Sequence, residues 1–286
     1  MTEPKTIVVV GSVNLDFVAT VDKLPVAGET VSGAELNRFP GGKGAHQALA
    51  ARRLGADVSL VARVGDDANA DEALALLSSG EVDLSACGRD TEIPTGVALI
   101  AVSADGENQI VVAPGANRHL RPEMLSLPVA DALICQLEVP VATLLHAATT
   151  YDGFFCINLA PAMPVPDALI KRADLLVVNE TEAEFYGAAL TGCDGLLATT
   201  FGAAGAALSR KGEMIAKAKS PVIEAVDTTG AGDTFTAALT VALLDGMQVQ
   251  AALEFACAAG AAAAMKQGAQ PSLPFREDVE ALINNT

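Results

Sequence analysis

Short runs of aliphatic and β-branched residues recur along the chain. TIVVV (6–10), DVSLVARV (57–64), GVALIAV (96–102), ALICQL (132–137), FFCINL (154–159), LLVVN (175–179), LLATT (196–200) and AALS (206–209) predict strands. Most are apolar at every position, the pattern of strands covered on both faces. Between them, AHQALAARRLG (45–55), DEALALLSSG (71–80), VATLLHAATT (141–150) and TEAEFYGAAL (181–190) carry helical periodicity. Two long helices are predicted near the end, DTFTAALTVALLDG (233–246) and VQAALEFACAAGAAAAMKQG (249–268). Alternating strands and helices predict an α/β fold, an open and mostly parallel sheet flanked by helices.

Two stretches depart from this alternation. Residues 15–40 mix polar and apolar positions around turns at Pro25 and Gly28, and GENQIVV (106–112) reads as a hairpin partner. Together they predict a small, half-exposed antiparallel sheet attached to the main one. No repeat, low-complexity tract or linker interrupts the chain, so 1–286 reads as one domain.

Composition narrows the function classes. Of 286 residues 51% are hydrophobic, enough for one large core, while aromatics are 4% and Trp is absent. The packing therefore falls to Ala, Val, Leu and Gly. With 18 basic and 35 acidic residues the net charge is −17. That argues against nucleic acid and anionic membranes, whose recognition needs Lys and Arg. A phosphate-bearing substrate would need screening, for instance by Mg²⁺.

The five cysteines, Cys87, Cys135, Cys156, Cys193 and Cys257, form no CxxC pair and read as reduced packing residues. The opening MTEPKTIVVVGSVNLDF does not read as a signal peptide, and the apolar stretch 255–265 is too short to span a bilayer. A cytoplasmic location is expected.

Four motifs carry chemistry. In VDTTGAGDTFTAALTVALL (226–244) an apolar strand is expected to end near Val226, followed by a Gly-rich turn and a helix from about Asp233. Bare amides at Gly230, Ala231 and Gly232, with the helix N-terminus, suit an anion, and Asp233 can accept a proton there. A plain N-cap would use the same residues. In FPGGKGAHQALAARRLG (39–55), Gly42 and Lys43 precede a helix, so the backbone can approach a ligand closely. A Gly turn before a helix with one solvated Lys is the plainer reading. The nucleotide fingerprints GxxxxGK[ST] and GxGxxG are both absent.

In VGSVNLDF (10–17), Asn14 and Asp16 follow an apolar strand and share a face if extended, placed to bind neighbouring hydroxyls or to make local turns. NETEAE (179–184) opens a helix with acidic and amide groups that suit either a cap or the water shell of Mg²⁺.

In this order, VVVGSVNLD, GGKGA, TGVAL, GAN (115–117), QLEVP, NETEAE, DTTGAGDTF and GAQPSLP resemble the ribokinase-like (PfkB) family of carbohydrate kinases, and within it the ribokinase branch. The match spans nearly the whole chain. The resemblance implies an ATP-dependent kinase for a primary hydroxyl of a small sugar, ribose first, with Asp233 as base and Gly230, Ala231 and Gly232 as anion hole. It implies sugar contacts at Asn14, Asp16, Gly42, Lys43, His46, Glu138 and Asp233.

It further implies Mg²⁺ and phosphate organisation at Asn179 and Glu182, nucleotide contacts at Thr200, Gly202 and Cys257, and a K⁺ site at Asp227, Thr229, Ala263, Lys266, Gly268 and Ser272. A lid at about 15–40 and 92–113 would also join two copies into a homodimer. Three positions depart from the family pattern. His46 replaces an Asn, Cys257 replaces a His near the adenine, and the stretch 187–196 lacks a helix. The His46 exchange makes 2-deoxyribose or another small sugar credible. Other family acceptors are a nucleoside, fructose or a sugar phosphate, for whose second anion Lys43 alone is thin, and a silent sugar-binding protein on this fold is the rival outside catalysis.

Overall fold

The computed structural model describes residues 3–285. The predicted strands form where the apolar runs lie: β1 (Thr6–Val10), β4 (Asp57–Gly65), β8 (Ala132–Gln136), β9 (Phe154–Asn158), β10 (Leu175–Asn179) and β11 (Leu196–Thr200) pair in parallel. Strands β12 (Ala206–Arg210) and β13 (Glu213–Ala218) extend one edge antiparallel, and β5 (Cys87–Asp90) closes the other. The sheet order is β13-β12-β11-β10-β9-β8-β1-β4-β5.

Successive residues of β1 enter opposite cores, Ile7 and Val9 on one face and Val8 and Val10 on the other, which is why the run is apolar throughout. The first face is covered by α1 (Lys43–Arg53), α2 (Ala68–Ser79), α6 (Ala231–Leu244), α7 (Val249–Ala263) and α9 (Arg276–Asn284). The second is covered by α3 (Val141–Thr150), α4 (Asp167–Arg172) and α5 (Glu180–Tyr186). Small residues let helices meet closely: a Cβ on Gly260 of α7 would lie 3.1 Å from Ala231 O of α6.

Several expectations need correction. No strand precedes the Gly-rich turn; Val222 and Val226 are exposed, and Val226 N and Asp227 N instead donate to Ala264 O (2.8 and 3.2 Å). The helix expected to run to 268 stops at Ala263, and Gly268 (φ 80°) opens a separate short helix, α8 (Ala269–Ser272). The helix expected over 181–190 stops at Tyr186, because Gly187 takes φ 47°, and a 3₁₀ segment follows. The sequence reading does not place the strands β5 and β13 or the helices α4 and α9. Strands β5 and β13 lie at the sheet edges and α4 has six residues, whereas α9 is clearly amphipathic, with Val279 buried, and was legible but passed over.

The second sheet contains β2 (Asn14–Val21), β3 (Glu35–Gly41), β6 (Gly96–Ser103) and β7 (Asn108–Ala113) in the order β3-β2-β6-β7. It is mixed rather than antiparallel, since β2 and β6 pair in parallel, and it takes Gly96–Ser103 away from the main sheet. The reason is topological: β1 runs into β2 and β5 into β6, so both leave the main sheet at the carboxyl ends of parallel strands. Register puts Asp16, Ala98 and Val112 on one face, with Ile100 and Ile110. Leu36, Leu99 and Val111 stand exposed on the other. Among the described residues no helix is long and apolar enough to cross a membrane.

Candidate active site

The start of α1 is seated against the turn that joins β1 to β2. Gly42 has φ 94°, and a Cβ there would lie 2.8 Å from Ser12 O and 2.9 Å from Asn14 N. A Cβ on Gly44 would strike Ser12 N, and Ala45 N donates to Ser12 O at 2.9 Å. This close approach brings Lys43, His46 and Gln47 over the carboxyl ends of the strands, where open α/β sheets bind ligands. Glu138, just beyond β8, accepts from Ser12 Oγ (2.5 Å) and from Lys43 N (3.0 Å).

Asn14 and Asp16 open β2 rather than sitting in a loop after β1, and both are buried. Asn14 Oδ1 accepts from Asn117 Nδ2 at 2.8 Å, while Asn117 exchanges two further bonds with the Val13 backbone (2.9 and 3.0 Å). Gly41 leaves room for the Asp16 carboxylate, which any Cβ would meet. Burial pushes Asp16 up to about 6, Glu138 adds to the rise, and His46 opposes it.

Asp233 lies in the first turn of α6 and is enclosed. Its Oδ2 is 2.9 Å from His46 Nδ1, and its Oδ1 accepts from Gln47 Nε2 at 2.8 Å. Burial favours the neutral acid, but the Lys43 charge and the bonds from His46 and Gln47 outweigh it and hold Asp233 below the ordinary carboxylate range. Burial also disfavours the His46 cation, yet the bond and charge of Asp233, with Asp16 and Glu138, carry its pKa upward. The field of Asp233 acts first on Lys43; with Glu138 and Glu182 it holds that ammonium above its usual value despite burial.

Asn179 and Glu182 form a reciprocal cap on α5, with both bonds at 2.8 Å, and face the same cleft. Burial raises the Glu182 pKa, and the charge of Asp233 adds to it. An exposed amide beside a buried carboxylate at the mouth of this cleft fits a hard cation that keeps its waters.

Two cavities meet at the Gly-rich turn. One, of about 380 Å³, is lined by Asn14, Asp16, Gly42, Lys43, His46, Glu138, Asn179, Glu182, Thr229, Gly230 and Asp233, and roofed by Ala98, Ile100, Ile110 and Val112. The other, of about 340 Å³, is mostly apolar and contains Gly202, Val222, Ile223, Ala231 and Cys257. Both include Thr200, Thr228 and Gly232. Gly230 takes φ 80°, whereas a Cβ on Gly232 would find no atom within 4 Å, so that glycine faces open space. Ala231 N already donates to Thr228 O at 3.2 Å.

Asp227, Ala263, Lys266, Gly268 and Ser272 line neither cavity. Of these, Asp227 accepts from Thr229 N and Gly268 N, each at 2.9 Å, and Ser272 N donates to Gly268 O at 3.2 Å. Among the described residues no cluster of three or more His, Cys, Asp or Glu is suited to a metal, so a cation here would meet chiefly backbone and hydroxyl oxygens.

Sequence reasoning passed over Ser12, Gln47, Asn117, Gln136, Asn158 and Thr228. Gln47 did leave a signal: it is a polar residue on the apolar face of a helix, a position where burial demands a partner.

The chain matches the model of the pfkB family of carbohydrate kinases over residues 4–276. It is 38% identical over 294 residues to the ribokinase of Bacillus subtilis, covering 98% of this chain and 100% of that one. The structure of a Thermotoga maritima ribokinase superposes with a TM-score of 0.89 at 34% identity, covering 98% of this chain and 100% of the other. An Arabidopsis thaliana ribokinase complexed with ribose and ATP gives 0.88 at 30% identity, covering 98% and 99%.

Proposed function

The chain belongs to the pfkB family of carbohydrate kinases, and from that footing we propose that it transfers the terminal phosphoryl group of ATP to the primary hydroxyl of ribose. It is an ATP-dependent sugar kinase, and ribose is the acceptor named for its relatives. The observation that carries the assignment to residues is the meeting of a polar and an apolar cavity at one turn, with Asp233 on the polar side.

The sugar fits the polar cavity, held by Asn14, Asp16, Lys43 and Glu138 beneath the small sheet, with Gly42 and His46 in the wall. ATP fits the apolar one, its base among residues such as Gly202 and Cys257 and its phosphates toward Thr200 and Gly232. Asp233 then takes the proton of the attacking hydroxyl. Its lowered pKa keeps it ionised at neutral pH, so it can accept a proton, though as a weaker base than a free carboxylate. The amides of Gly230 and Gly232, with the α6 N-terminus, stabilise charge on the transferring group; that of Ala231 is shared with Thr228 O. Mg²⁺ near Asn179 and Glu182 would neutralise phosphate charge. A monovalent cation, K⁺, fits behind the turn at Asp227, Thr229, Ala263, Lys266, Gly268 and Ser272.

We read 1–286 as one domain in which β2, β3, β6 and β7 form the lid, and the exposed apolar face at Leu36, Leu99 and Val111 as the contact of a homodimer. A cytoplasmic setting accords with five unpaired cysteines.

The test is product formation from ATP with a panel of ribose, 2-deoxyribose, fructose and a nucleoside. Ribose 5-phosphate is expected. Asp233→Asn should lose about 10²- to 10⁴-fold in kcat while ribose binding survives. Near-normal turnover in that variant would remove Asp233 as the base, and no product from any acceptor would leave a silent sugar binder.

A further inference from the structure

We propose that Gln47, steered by Gln136, is the positioning residue that fixes the Asp233 carboxylate for proton abstraction. This rests on the kinase reading in so far as Asp233 is the base. Neither glutamine has exposed surface, and neither lines the sugar or the nucleotide cavity. They therefore act through Asp233 and not on substrate.

An amide can face a carboxylate in two ways, and only one attracts. Gln136 Nε2 donates to Gln47 Oε1 at 2.6 Å, so the oxygen of Gln47 is engaged from the sheet side. Its Nε2 must then point away, to Asp233 Oδ1 at 2.8 Å and Asn158 Oδ1 at 3.3 Å. Gln136 is itself confined: a Cβ on Gly11 would collide with its Oε1. That Oε1 is buried with no hydrogen-bond partner, so a hydrocarbon side chain would suit the core better than this amide. What the amide does supply is direction, from β8 through α1 to α6.

The consequence falls on Asp233. With Gln47 on Oδ1 and His46 on Oδ2, rotation of the carboxylate about its Cβ–Cγ bond is blocked, and the remaining lone pairs keep one aim. A base held in line loses less to misorientation when the hydroxyl arrives. The charged groups acting on Asp233 are Lys43 and His46 from α1 and Glu182 from α5. Gln47 adds a donor without adding charge.

The experiment compares Gln47→Leu, Gln136→Leu and the double variant with the wild-type enzyme, each checked for folding by thermal denaturation. Gln47→Leu should lower kcat about 10- to 100-fold with both KM values within about threefold. The acid limb of its kcat–pH profile should move to higher pH, because the base has lost a donor. Gln136→Leu should act in the same direction, and the double variant should be no worse than Gln47→Leu. Should Gln47→Leu fail to fold, Gln136→Leu carries the test. An unchanged kcat and pH profile, or multiplicative losses in the double variant, would overturn the proposal.

Carbon-13 titration of the Asp233 carboxyl reads the same bond without turnover: its pKa should rise in Gln47→Leu, and an unmoved value overturns the proposal. An inactive wild type would count against the kinase reading alone.

Discussion

His46 Nδ1 lies 2.9 Å from Asp233 Oδ2, with both side chains about 5% exposed. The residue that replaces an Asn in the family pattern thus touches Asp233, the base of the proposed mechanism, while its Nε2 is buried without a partner. The pair raises the His46 pKa and lowers that of Asp233, so each stabilises the charged form of the other.

The sign of its pH dependence follows. The Asp233 contribution is present above the unfolded carboxylate pKa of about 3.9 and fades as pH falls through the lowered folded value. The His46 contribution is full below the unfolded value of about 6.5 and fades as pH rises through the raised folded one. The stability lost in His46→Asn should therefore be largest in mildly acidic solution and shrink toward alkaline pH, as read by Tm of both proteins across the range. A difference that grows with pH would contradict the ion pair. The same variant should also shift preference between ribose and 2-deoxyribose, since it changes a donor in the wall of the cavity proposed for the sugar.

Asp16, pushed up to about 6 by burial, is a site carboxylate held at a cost to folding. Between about 3.9 and 6 the folded state binds the extra proton, so this residue's contribution to stability falls as pH rises through that window. Asp16→Asn should be more stable than wild type above pH 6, by up to about 3 kcal/mol, and bind sugar less well. Denaturant melts and calorimetric sugar titration at two pH values check both halves.

Two glycines should separate fold from function. Gly44→Ala puts a methyl into Ser12 N and the Gly11 backbone, and overpacking of this kind costs about 1–3 kcal/mol. Gly232→Ala meets no protein atom within 4 Å but fills space shared by the two cavities. Its Tm should stay near wild type while phosphoryl transfer falls at least about tenfold. Parallel melts and kinetic assays distinguish the two.

A monovalent cation behind the turn should support activity through Asp227, whose carboxylate ties the 227–229 backbone to Gly268. Turnover should rise with added K⁺ at constant ionic strength, and Asp227→Asn should weaken that response. No response to K⁺ would remove the assignment.

Much of the architecture was legible in the residues. Strands covered on both faces wrote themselves as unbroken apolar runs, and the Gly-rich turn showed itself as the start of α6 through residue type. The edges were not legible. The missing strand at Val226 is an apolar stretch with no sheet neighbour, and pairing is decided by distant residues. Nor did spacing reveal that β2 and β6 run parallel, because direction follows from where each chain segment leaves the main sheet.

By itself the sequence determined which groups are available: a carboxylate at a helix start, bare amides before it, and a lysine after paired glycines. Those are local facts, set by covalent order and backbone freedom. Only the tertiary structure decided that consecutive side chains of α1, His46 and Gln47, would grip the two oxygens of a carboxylate 187 and 186 positions away. Contacts of that span depend on how whole layers pack against one another, and no local pattern encodes them.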